Sequence, residues 1–130
     1  MIARTWRGVT RARNADEYTK YIEETGLRAY GETPGNMGSF ILRRPADDTV
    51  SSSPDAAGVP LTEFLVLSFW ESMDAVRAFA GENPDRSVYY PEDEHFLLQM
   101  EALVRHYDVA EQIAAGAEAT APAKSARKKP

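Results

Sequence analysis

Phe64-Leu65-Val66-Leu67-Ser68-Phe69-Trp70, followed at once by Glu71-Ser72, decides how this chain folds. The seven residues are β-branched, aromatic or aliphatic apart from one serine, which is the composition of a strand. Side chains alternate along a strand, so Phe64, Val66 and Trp70 share one face while Leu65, Leu67 and Phe69 share the other. Both faces are therefore apolar. The chain's own helices can cover one of them, and the other needs a separate cover. Ser72 is placed to cap a helix with Met73, Val76 and Phe79 or Ala80 turned inward, and Gly81 is placed to end it.

Working outward, Met1 to Val9 reads as a first strand, with Ile2, Arg4 and Trp6 on one face. Asn14 and Glu17 have the spacing of a capping box, and Tyr18, Tyr21 and Ile22 form the apolar stripe of a helix that Gly26 should stop. Tyr30 to Gly38 reads as a loop and Ser39 to Arg43 as a second strand. The stretch 44–60 holds three prolines and three consecutive serines and reads as a long excursion between neighbouring strands. Asn83-Pro84 has the form of another helix start. From His95 the chain should be extended, with Met100, Ala102, Val104 and His106 alternating as strand four. The order β-α-β-β-α-β predicts an α+β, ferredoxin-like fold: a four-stranded antiparallel sheet with both helices on one face. The bare face then predicts a homodimer, two sheets closing into an α+β barrel.

Composition sets limits on function. The chain has 130 residues, enough for one domain, and no cysteine, which excludes thiolate catalysis and thiolate metal sites and fits a cytoplasmic setting. The start Met1 to Trp6 has no signal-peptide pattern and no segment is long enough to span a bilayer, so no membrane association is expected. The net charge is -5, and the tail after Val109 carries two acids against four bases, so the rest is more acidic than the whole. An acidic folded part suits nucleic acid poorly. The expected domain is 1–109, with 110–130 a disordered Ala/Pro/Lys-rich tail, save for one helical turn near Glu111. Glu92, Asp93 and Glu94 read as solvated acids on a turn, so no metal is expected. Gly31, Gly35 and Gly38 follow a helix and precede a strand, the wrong order for a dinucleotide loop.

A strand ending in Trp70-Glu71-Ser72 and leading into a helix rich in Ala and Phe resembles the antibiotic biosynthesis monooxygenase superfamily. The resemblance covers the layout from Met1 to Val109 and is specific at Phe69 to Phe79. It implies a dimeric α+β barrel with a pocket between sheet and helices in each subunit. Its implied activity is a cofactor-independent monooxygenase acting on a small aromatic, phenol- or quinone-type molecule, with no cofactor. A haem-degrading branch also exists, but the iron-ligating His that follows its Trp is absent here, where the stretch reads Phe79-Ala80-Gly81-Glu82.

On that footing the catalytic candidates are Trp70, His106 and Tyr89, with Trp6, Arg43, Tyr90 and Phe79 expected to bind substrate. Each has a plainer reading. Trp70 suits a core position, and His106 a hydrogen-bonded strand residue. Tyr89 and Tyr90 suit a plug at the open end of the sheet, and Arg43 suits an ion pair with Glu63 across the hairpin. His95 is expected at the surface. The competing function is a non-catalytic dimeric module that binds a small ligand or a partner.

Overall fold

The computed structural model describes residues 1–46 and 59–116. Most of the 44–60 excursion and the tail from residue 117 lie outside the described residues. The element order is β1 (Ile2–Arg11), α1 (Ala15–Ile22), a π-helical turn (Glu23–Leu27), α2 (Arg28–Glu32), β2 (Asn36–Pro45), β3 (Leu61–Trp70), α3 (Met73–Ala80), α4 (Asp93–Phe96), β4 (Leu97–Met100) and β5 (Arg105–Asp108). The strands make one antiparallel sheet in the order β2-β3-β1-β4, with β5 also on β1. This is the ferredoxin-like arrangement that the sequence predicts.

The β1–β3 ladder is unbroken from Ile2 opposite Trp70 to Arg11 opposite Leu61. It assigns every side chain of both strands to a face. Thr62, Phe64, Val66, Ser68 and Trp70 are buried under the helices, whereas Leu65, Leu67 and Phe69 on the other face are only partly covered. On that bare face Phe40 and Leu42 of β2 lie opposite Leu67 and Leu65, and Tyr107 of β5 lies opposite Ala3. Phe40, Leu42 and Tyr107 are 56%, 44% and 53% exposed, respectively. One end of the same face is polar, where Glu63 pairs with Arg7 at 3.2 Å and Arg44 at 3.6 Å.

Under the helices the core is aromatic. Trp70 is fully buried, stands edge-on to Tyr30 at 5.5 Å and lies beside Phe79 at 5.8 Å. Its indole N–H donates to Ser68 Oγ at 2.9 Å, so no polar atom is left unpaired. Burying such a ring contributes about 4–6 kcal/mol as an upper bound. Ser72 caps α3 as expected, its hydroxyl accepting from Ala75 N, and Gly81 ends it at φ 91°.

Several expectations are corrected. Asn14 precedes α1 but makes no side-chain cap. The helix does not stop at Gly26. It runs on through the π turn into α2, so Tyr30 is a buried helical residue rather than part of a loop. Asn83-Pro84 opens a turn, not a helix. Strand four is interrupted at Glu101 to Val104, where the chain leaves β1 and bonds residues 85–87 instead: Ser87 N to Ala102 O at 2.9 Å and Val104 N to Asp85 O at 2.8 Å. The backbone stays paired through that break with a new partner, but the expected alternation does not carry across it: Met100 and Ala102 are exposed and Val104 is buried. Ala110 to Gly116 is exposed and carries no helical turn. Among the described residues no helix is long and apolar enough to cross a membrane.

The turn from α2 into β2 is fixed by Gly35. Its φ is 94°, its carbonyl accepts from Glu71 N at 2.8 Å, and a Cβ there would stand 2.5 Å from the Ala75 Cβ. Gly35→Ala combines a left-handed backbone with a collision against α3, and should cost at least about 2 kcal/mol. Urea denaturation would measure it; an unchanged midpoint would contradict this packing.

Candidate functional site

A cavity lies between the helical face of the sheet and the helices. The sheet contributes Arg4, Trp6 and Val66. Tyr18 and Ile22 of α1, Thr25, Gly26 and Leu27 of the π turn, and Tyr30 of α2 form one wall. Phe79 of α3, Val88 and Tyr90 of the segment leading into α4, and Asp93 at the start of α4 close the rest. Tyr18, Ile22, Gly26 and Tyr30 are spaced in steps of four, and all four line the cavity. The π turn takes up the extra residue needed to carry that face on toward Trp70. The space amounts to about 450 Å³ counted to its open mouth, of which about 40 Å³ admits a water-sized molecule. A second groove, walled by Tyr89, Tyr90, Pro91, Asp93, Glu94 and Met100, adjoins it, and Tyr90 and Asp93 line both.

Arg4 is the electrostatic centre. It projects from β1 among apolar neighbours and is 2% exposed. Its NH1 group donates to Pro84 O at 2.6 Å and meets His106 Nε2 at 2.9 Å, and its NH2 group donates to Arg86 O at 3.4 Å. The guanidinium stands 5.7 Å from the centre of the Phe79 ring. Among the described residues no carboxylate touches it. Burial lowers its pKa, with the nearby Tyr30 and Asp85 pulling the other way. Arg4 Nε and Trp6 Nε1 are the buried side-chain polar atoms that find no hydrogen-bond partner among the described residues.

His106 holds Arg4 from behind. A guanidinium can only donate, so His106 Nε2 must accept, and the ring proton sits on Nδ1, which donates to Asp85 Oδ1 at 3.0 Å. The imidazole is neutral in this arrangement. Its pKa is lowered, first by burial and then by the Arg4 charge, against the opposing pull of Asp85.

The far end of the cavity is acidic. Asp93 is buried, unlike the exposed Glu92 and Glu94, which corrects the reading of all three as solvated acids. Its carboxylate accepts from the Tyr18 hydroxyl at 2.9 Å and from Tyr90 N at 2.7 Å. Desolvation nevertheless raises its pKa above the ordinary carboxylate value. Tyr18, Tyr30 and Tyr90 are all pushed up, mainly by burial.

Of the residues the sequence put forward, Trp6, Tyr90 and Phe79 line the cavity. Trp70 does not line it; it stands behind Tyr30 and Phe79 and fixes both rings. His106 reaches it only through Arg4. Tyr89 lies in the outer groove, its hydroxyl donating to the Glu101 carbonyl. Arg43 lies away from the cavity, pairing with Asp16 at 2.9 Å and standing over the Phe64 ring, while Glu63 is taken by Arg7 and Arg44. Sequence reasoning missed Arg4, Tyr30 and Asp93. Only Arg4 carried a local signal, as a charge between Ile2 and Trp6 on an apolar face.

No protein-family model matches the chain, and no curated protein matches it. Among solved structures, one of a candidate antibiotic biosynthesis monooxygenase from Bacillus cereus is similar at TM-score 0.57 and 13% identity, over 88% of this chain and 95% of that one. What the two share is the fold, the α+β, ferredoxin-like arrangement described above. A point mutant of MhuD, holding two manganese protoporphyrin IX per active site, is similar at TM-score 0.50 and 16% identity, over 88% of this chain and all of that one. MhuD is described as a haem degrader from Mycobacterium tuberculosis. At these identities the likeness concerns the fold. Neither histidine is placed to ligate a haem iron in this cavity: His95 is exposed, both nitrogens of His106 are engaged, and neither ring lines the cavity.

Because the folded protein resists protonating His106, the stability this residue contributes is present above the unfolded value near 6.5 and is lost as pH falls below it. An NMR titration should give a His106 midpoint below 6.5, with the neutral ring protonated at Nδ1. A midpoint above 6.5, or the opposite tautomer, would break the account of Arg4 given above.

Proposed function

We propose that this chain is a homodimeric, cytoplasmic, cofactor-independent monooxygenase acting on a small phenol-type aromatic. The observation that supports this reading is Asp93. A carboxylate with raised pKa, buried at the wall of an aromatic cavity, is suited to take a proton from a bound phenol or from an activated ring CH₂. The deprotonated ring is electron-rich enough to react with dioxygen directly. At one ring carbon a CH₂ becomes a carbonyl, one oxygen atom entering and the other leaving as water with the two hydrogens. Arg4, at the opposite side, offsets the negative charge that develops on the substrate oxygen. Tyr18, Tyr30 and Phe79 provide ring faces and edges for stacking, and Trp70 keeps Tyr30 and Phe79 in place. Entry of a ring requires the inner space to widen, and Tyr90, between cavity and groove, is the side chain suited to swing.

Purified protein with anthrone-type phenols should consume oxygen above the buffer rate. Asp93→Asn should lower that rate by about 10²–10⁴-fold, the weight of a general base, while still binding the substrate. No uptake across a broad panel would sink the reading. A non-catalytic ligand-binding module is the second reading, favoured by Trp70 and His106 standing outside the cavity wall; retained binding without turnover would select it.

The homodimer rests on the bare face. Phe40, Leu42, Leu65, Leu67, Phe69 and Tyr107 make a contiguous apolar patch, and a second copy offers the same patch in return. Phe40→Asp should leave the circular dichroism spectrum intact and shift sedimentation from dimer to monomer. A wild-type chain that sediments as a monomer at micromolar concentration would remove the dimer.

A further inference from the structure

We propose that the cavity selects an aromatic ligand bearing an anionic oxygen, a carboxylate in particular, which Arg4 and Trp6 receive together. The inference rests on reading the cavity as the substrate site and adds the charge of what enters it. Two observations converge. The buried guanidinium of Arg4 is surrounded by neutral groups, the Pro84 and Arg86 carbonyls and the His106 ring with the Tyr30 hydroxyl and the Phe79 ring close by, and among the described residues no carboxylate stands at contact distance, Asp85 being joined to it only through His106. Leaving a cation in that state is costly. Separately, Arg4 Nε and Trp6 Nε1 are both buried without a partner, and both residues line this cavity.

Both orphan groups are donors, and buried donors of this kind call for an acceptor. They stand on β1 two residues apart and so on the same face of the sheet. A water in the inner space would satisfy hydrogen bonds but leave the charge uncompensated. A carboxylate satisfies both, with two oxygens for two donors and a negative charge beside the cation. A cation or a hydrocarbon without an acceptor would leave the donors orphaned. Asp93 on another wall disfavours a second negative group on the ligand, which points to a monoanion. Tyr18, Tyr30 and Phe79 make the body of the ligand aromatic.

The experiment is calorimetric titration of the full chain at neutral pH, without oxygen, with salicylate and with its neutral isostere salicylamide. Salicylate should bind about ten- to a hundredfold more tightly, the effect of one hydrogen-bonded charge pair. Arg4→Met should bring the two ligands to parity. If that variant fails to fold, the wild-type comparison decides alone. Equal binding, tighter binding of salicylamide, or no heat from either at millimolar concentration would overturn the proposal. Its fate is separable from that of the oxygenase: an anion preference without oxygen uptake keeps the site and removes the reaction. Oxygen uptake on neutral phenols with no anion preference does the reverse.

Discussion

The register of one ladder governs this molecule. β1 and β3 pair from end to end, and that pairing sends Arg4, Trp6, Phe64, Val66 and Trp70 to the face beneath the helices. Side chains alternate with a period of two, so a slip by one residue would turn all of β1's site residues out onto the bare face. What pins the register is the unequal fit of the two faces. Trp70, Val66 and Phe64 match the space under α1 and α3. Leu65, Leu67 and Phe69 cannot take their place while Glu63, in the same set, stays paired with Arg7 and Arg44.

Within that frame the cavity is polarised. Donors stand on the sheet side, at Arg4 and Trp6, and an acceptor stands at the start of α4, at Asp93. Neither end is a simple ion pair. Arg4 is held by carbonyls and an imidazole, and Asp93 by a phenol hydroxyl and a backbone N–H. Burial works against the charged form of each, lowering the Arg4 pKa and raising that of Asp93, and in so dry and aromatic a surround the polar contacts of both act more strongly than in water.

Much of this was legible in the sequence. The composition of Phe64 to Trp70, the Ser72 cap and the Gly81 stop specify a strand-to-helix unit, and the order of elements specifies the sheet. Trp6 and Phe79 follow from inward-facing positions on those elements, and Tyr90 from its place beside Pro91 on the connection after α3. The rest required tertiary information. A π turn has no local sequence mark, so Gly26 reads as a stop and Tyr30 is lost from the helix. Asp93 looks like its neighbours Glu92 and Glu94 until Tyr18, seventy-five residues away, is seen to donate to it. Arg43 looks like a pocket residue because it sits on the correct face, but its strand is at the sheet edge, where the longer reach is to Asp16.

The gap between β4 and β5 has its own importance. By stepping away from β1 at Glu101 to Val104, the chain gives backbone partners to residues 85–87, and that short strap carries the Asp85 side chain and the Pro84 and Arg86 carbonyls that surround Arg4. A tidier last strand, zipped along its whole length, would close the sheet more regularly and leave the guanidinium without its cradle. The irregular edge is thus part of the machinery. Anyone rebuilding this scaffold for a new ligand would do well to preserve the flaw and redesign the rings.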